Sequence, residues 1–188
     1  MQKIKSHLED SSALQKQLSV DDSFLLKVKN SADAISFALK SGGKVLVAGN
    51  GGSASQSQHF VAELVGKYLK ERVPQKAISL VSDVATMTSL ANDFGYEYVF
   101  SKQVEALGEK GDVFVALSTS GNSENILEAL EQAKKAGLTC IGLAGKDGGK
   151  MKDFCDHLLI IPSSSTPLIQ ESHLSILHIL ADLVEESL

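Results

Sequence analysis

The chain has no tryptophan, three prolines, two cysteines and only 5% aromatic residues. So little cysteine excludes a disulfide-stapled scaffold, and Cys140 and Cys155 read as idle thiols in a reducing compartment. No stretch is rich enough in proline, glycine or serine to divide domains. Lysine and arginine form no run, and acidic residues outnumber them 23 to 18 for a net charge of -5. That balance argues against a nucleic-acid groove or an anionic membrane surface as the main partner. No segment reaches the roughly 18 uninterrupted apolar residues of a membrane span, and the residues from Met1 to His7 carry no apolar leader core. The expectation is a cytoplasmic protein built as one domain over 1–188.

What is present is a regular alternation of element patterns. Residues 1–41 show two helical stripes, the second through Phe24, Leu25, Val28, Ala32, Ile35, Ala38 and Leu39. Residues 42–188 hold strand patterns near 44–48, 76–81, 112–117, 138–143 and 157–161, with helical patterns between and a final helix near 167–186. Two more helices are expected at 84–92 and 97–107. The strands are short and continuously apolar, as in Leu158-Leu159-Ile160-Ile161, which fits burial on both faces. This predicts an α/β fold with an open parallel sheet flanked by helices.

Two of the strands end in loops suited to anions. Val113-Phe114-Val115-Ala116-Leu117 runs into Ser118-Thr119-Ser120-Gly121-Asn122-Ser123 and then a helical pattern. Unpaired N–H groups and the helix dipole converge there, glycine permits close approach, and the hydroxyls add neutral donors. Lys44-Val45-Leu46-Val47-Ala48 likewise runs into Gly49-Asn50-Gly51-Gly52-Ser53. Such loops at the carboxyl ends of parallel strands suit a ligand with a phosphate and a polar body. Gly145-Lys146-Asp147-Gly148-Gly149 reads as a surface turn, with a third wall of the site as the alternative.

Beyond the first loop, Ser55, His59, Glu63 and Lys67 recur every four residues. They share one helical row, on which His59 and Glu63 can converge on an ion or a proton. The plainer reading is an exposed Glu63–Lys67 pair with a solvated histidine beside it. The last helix adds Gln170, Glu171, His173 and His178 among apolar neighbours, where a histidine is ordinarily a hydrogen-bonded core residue. If His59 and Glu63 met Gln170 and His178, the mixed N/O set would suit zinc or a similar divalent ion. Residues 170 and 178 stand ~12 Å apart along a straight helix. Either Gln170 lies in an unwound first turn, or His178 is supplied by another subunit; the second is expected.

Taken in order, the two loops, His59-Phe60-Val61-Ala62-Glu63-Leu64, Asn92-Asp93-Phe94-Gly95, the 145–149 loop and Gln170-Glu171-Ser172-His173 with His178 resemble the phosphoheptose isomerase family of the sugar isomerase (SIS) fold. The resemblance spans nearly the whole chain. It implies a three-layer sandwich with a five-stranded parallel sheet in flavodoxin-like order, two N-terminal helices, a cytoplasmic homotetramer with interfacial active sites, and one zinc ion per subunit. The implied reaction converts sedoheptulose 7-phosphate to D-glycero-D-manno-heptose 7-phosphate for lipopolysaccharide core or surface polysaccharide. The implied substrate contacts are Asn50, Gly51, Gly52, Ser53, Glu63, Asn92, Asp93, Ser118, Thr119, Ser120, Ser123 and Gln170. The implied metal ligands are His59, Glu63, Gln170 and His178, with Glu63 and His178 as the acid/base pair. Some members carry Asp-Arg where this chain has Pro167-Leu168. The alternatives are a non-catalytic SIS adaptor binding the replication initiator DnaA and a phosphosugar-sensing module; neither needs His59 and Glu63 together.

Overall fold

In the computed structural model, which describes residues 1–188, helices and strands alternate in the expected sequence. Helices α1 (Gln2–Ser19) and α2 (Asp22–Lys40) precede β1 (Val45–Gly49). Next come α3 (Gly52–Val65), β2 (Ala77–Ser79), α4 (Val84–Phe94), α5 (Ser101–Leu107), β3 (Val113–Ser118), α6 (Glu124–Ala136), β4 (Thr139–Gly145), β5 (His157–Ile161) and α7 (Thr166–Ser187). All five strands pair in parallel in the order β2-β1-β3-β4-β5. This is the flavodoxin-like order.

Every residue of β1 and β3 is buried, because successive side chains feed opposite cores. Val45, Val47, Val113, Val115 and Leu117 face α1, α2, α3 and α7, whereas Leu46, Ala48, Phe114 and Ala116 face α5 and α6. Three layers result. The strand order reverses between β1 and β3, which opens a crevice at their carboxyl ends. Gly49 pairs with Leu117 across that switch, so the two glycine- and hydroxyl-bearing loops emerge side by side.

Helices α3 and α7 both succeed parallel strands and cover the same face, so they run in the same direction. Gly52 lies beside Gln170, His59 beside His178, and Tyr68 beside Glu185. This matched register brings side chains of α3 and α7 together level by level, from the crevice at Gly52 down to the end of α3.

Two boundaries differ from expectation. Strand β2 covers only three residues, because the chain turns once Leu80 has donated to the Val47 carbonyl. The helix expected from 97 starts instead with a 3-10 turn at Tyr96–Tyr98, and α5 begins only at Ser101. Gly95, at φ 103°, breaks the helical path, and the intervening Val99 and Phe100 sink fully into the core.

His173 also departs from expectation. It is a core residue, wholly buried, yet neither ring nitrogen has a hydrogen-bond partner. Burial pushes its pKa down to about 4, and the Ala144 backbone offsets only part of that. The unfolded chain takes up this proton near pH 6.5. Between the two values the unfolded state therefore binds more protons, and stability falls as the pH is lowered through that window, by about 3 kcal/mol in all. Urea unfolding of His173→Met should show a flatter loss between pH 6.5 and pH 4 than the native chain; equal slopes would disprove the assignment.

Candidate active site

The serine-rich loop gathers its hydroxyls in front of α6. Ser118 and Ser123 hydroxyls lie 2.8 Å apart, with Ser120 at 3.5 Å from Ser118. Ser123 caps α6 without bonding its amides through the side chain, and although Ile126 N–H donates to the Ser123 carbonyl, the Glu124 and Asn125 N–H groups are left for an anion. Gly121 sits at φ +65°, and a Cβ there would fall 2.1 Å from the Gly148 carbonyl oxygen. Met151 N–H donates to the Gly121 carbonyl and Lys150 N–H to Asn122 Oδ1, while Gly145 packs against the Thr119 carbonyl. The 145–149 loop is therefore the backing wall of the cradle, not a free surface turn.

Across the crevice, Asn50 and Asn125 exchange amide hydrogen bonds of 2.8 and 2.9 Å, and the Tyr96 hydroxyl donates to Asn50 Oδ1 at 2.9 Å. This ties the first loop to α6 and to the end of α4. Asn92 and Asp93 are exposed at that end and bond each other. Ser53 is buried in the first turn of α3, and Gly51 is exposed. Gly52 leaves room for the Gln170 amide, which a Cβ there would meet at 2.6 Å and displace. Gln56 Nε2 donates to the Gln170 carbonyl at 2.7 Å. Pro167 occupies the first turn of α7, where a missing N–H costs nothing, and Leu168 packs on the core.

Two turns further along α3, His59 Nε2 lies 2.8 Å from His178 Nε2 and 3.3 Å from Glu63 Oε1. One imidazole must donate and the other accept. The rings meet edge to face at 5.0 Å, and the Tyr68 ring stacks on the far side of His178 at 5.8 Å. The ligand atoms of His59, Glu63 and His178 all lie within 4.8 Å of one another. Two imidazole nitrogens and a carboxylate oxygen are the donor set zinc takes, and its bond lengths put tetrahedral donors about 3.4 Å apart. The residues fit a divalent ion with a position left open.

This geometry bears on three expectations. His178 needs no second subunit to reach His59 and Glu63: all three meet within one chain, because the parallel run of α3 and α7 brings these side chains to the same height. Gln170, for its part, lies in a regular stretch of α7. Its amide rests on Gly52, seven residues or about 10 Å of helix before His59, so within the chain it joins the glycine loop, not the cluster. The Glu63–Lys67 pair does not form either, because Gly66 ends α3 at Val65 and leaves Lys67 outside the row. Asn125, Tyr96, Gln56 and Tyr68 escaped the sequence reading. Each lies within three residues of a recognised motif, which is the one signal the sequence offered for them.

Comparison with known proteins places the chain in a family. The SIS domain family matches residues 8–145. The phosphoheptose isomerase of Helicobacter pylori (strain P12) is 50% identical over 181 residues, covering 96% of this chain and 93% of that protein. Among solved structures, a phosphoheptose isomerase from Francisella tularensis superposes with a TM-score of 0.93 at 38% identity, covering 98% of this chain and 97% of its own. That of Neisseria gonorrhoeae gives 0.90 at 35% identity, with 98% of each chain covered. Similarity of this extent, over a shared fold, means that the chain belongs to the phosphoheptose isomerases of the SIS family, which are phosphosugar isomerase enzymes.

Proposed function

We propose that the protein interconverts sedoheptulose 7-phosphate and D-glycero-D-manno-heptose 7-phosphate in the cytoplasm, supplying heptose for lipopolysaccharide core or surface polysaccharide. The observation that carries this reading is the meeting of two imidazoles and a carboxylate from α3 and α7 on the scaffold that also builds a phosphate cradle. The names of the relatives support the sugar.

Ketose-to-aldose conversion moves a proton from C1 to C2, and those hydrogens are acidic only beside a polarised carbonyl. The hydroxyls of Ser118, Thr119, Ser120 and Ser123, with the α6 amides, hold the phosphate, and Ser53 of α3 is a further contact. Asn50, Gly51, Gly52, Asn92, Asp93 and Gln170 line the sugar, and Gln170 meets it at the glycine loop. Glu63 faces His59 through Oε1, which leaves Oε2 to take the carbon-bound proton at C1 and return it at C2. His178 exchanges the matching proton at oxygen. His59, Glu63 and His178 would hold zinc, which when bound supplies a Lewis acid for the carbonyl and its neighbouring hydroxyl.

A homotetramer is the assembly this reading takes. It is supported by exposed apolar side chains at Ile4 and Leu8 on α1 and at Val65 and Leu69 around the end of α3. His59 keeps 43% of its side chain exposed, open to a neighbouring copy. The test is a coupled assay on sedoheptulose 7-phosphate with and without a chelator. Turnover should vanish with the chelator and return with zinc. Full activity in the chelated protein would reject the metal, and no activity in either state would reject the reaction.

A further inference from the structure

The segment after α3 has no regular structure, yet a single carboxylate holds it. Glu185, on the last turns of α7 with 1% of its side chain exposed, accepts the backbone N–H groups of Tyr68 at 3.1 Å and of Leu69 and Lys70 at 2.8 Å. Three consecutive amides turned on one anion form a nest. Arg72 completes it from the other side, with Nε 3.2 Å from Glu185 Oε1.

The same guanidinium reaches back to α3. Nη2 donates to the Glu63 carbonyl at 2.6 Å and Nη1 to the Leu64 carbonyl at 2.8 Å, two acceptors at a helix end that needs outside donors. One buried ion pair thus joins the turn that carries Glu63 to the helix that carries His178. A further arm runs through Tyr68, whose amide sits in the nest and whose ring lies on His178. Burying an ion pair contributes little net stability, because desolvation offsets the attraction. What this pair contributes is geometry.

We propose that Arg72 and Glu185 are positioning residues for the cluster: their pair sets the height of α3 against α7 and, through Tyr68, the plane of the His178 ring. The proposal rests on the reading of His59, Glu63 and His178 as the reactive cluster. It adds a structural device seven residues beyond His178 that touches neither substrate nor metal.

Two conservative variants test it. Glu185→Gln keeps an acceptor for the amides but loses the charge pair; Arg72→Lys keeps the charge but loses the fork over the two carbonyls. The first measurement is the imidazole nitrogen NMR spectrum of the metal-free protein. The His178 resonances should move in both variants and stay put in Ser36→Ala, which breaks the Ser187–Ser36 contact at the far end of α7 and the Ser36 bond to the Ala32 carbonyl. The second is a titration with Co2+ followed by visible absorption, in which both variants should lose about ten- to a hundred-fold in affinity, the scale of a lost outer-shell support. His178 resonances unmoved in both variants would overturn the proposal, whatever the stability of either. If one variant does not fold, the other decides. Should the native chain take up no Co2+, the metal reading of the cluster falls, while the metal-free spectra still decide the role of the pair.

Discussion

Glu63→Gln should lower turnover by about 10³-fold or more and leave the fold intact. Glutamine has the same size and can still accept a hydrogen bond from His59, but it cannot take a proton from carbon, and a positioned general base contributes roughly 10²- to 10⁴-fold by itself. If the carboxylate also holds the metal, the loss lies at the upper end. Stability changes little, because the carboxylate is partly exposed and its partner is a half-exposed histidine at 3.3 Å, a contact worth at most about 1 kcal/mol. Steady-state rates and a thermal melt on one preparation check both halves. Turnover near the native value would remove Glu63 from the chemistry, and a defect confined to KM would make it a binding residue.

The second large effect falls on the cradle. Gly121→Ala should melt roughly 10 °C below the native chain and bind phosphosugar far more weakly. A residue with a Cβ pays about 1–2 kcal/mol to adopt the left-handed conformation, and Gly121 has φ +65°. The added carbon would also lie 2.1 Å from the Gly148 carbonyl oxygen. That oxygen belongs to backbone, so the two loops must part, straining the hydrogen bonds from Met151 to Gly121 and from Lys150 to Asn122. A combined loss near 3 kcal/mol produces a shift of that size, at about 2–4 °C per kcal/mol for a chain of this length. Calorimetry and inorganic phosphate titration measure it. A melt within about 2 °C of native would mean that the 145–149 loop does not back the cradle.

The cysteines show where local reading suffices. Burial pushes the Cys140 thiol up to about 12 and Cys155 higher still, so both are unreactive, as their apolar surroundings suggest. The sheet was equally legible, since a short run such as Val113-Phe114-Val115-Ala116-Leu117, bounded by turn residues, reads as a strand buried on both faces, which it is. The serine-rich loop was legible for the same reason. Its strand, turn and helix are consecutive, so the cradle is a local object. Tyr96 was harder, because its hydroxyl matters only through Asn50, forty-six residues away. The place of Gln170 within the chain was harder for a related reason. Spacing along α7 correctly keeps it about two turns from His178, but spacing cannot show that Gly52 leaves a space into which its amide fits.

Apolar periodicity, loop chemistry and the row of His59 and Glu63 by themselves determined the layered parallel fold, the hydroxyl-bearing loop at the start of α6 and the placing of His59 and Glu63 on one helix face. Only the tertiary structure decided that His178 joins His59 and Glu63 within one chain, that Gln170 does not, and that Glu185 and Arg72 brace the pair of helices between them. The physical reason is that period and turn chemistry act over a few residues. The height of α3 against α7 is set instead by packing and a buried ion pair between segments more than a hundred residues apart.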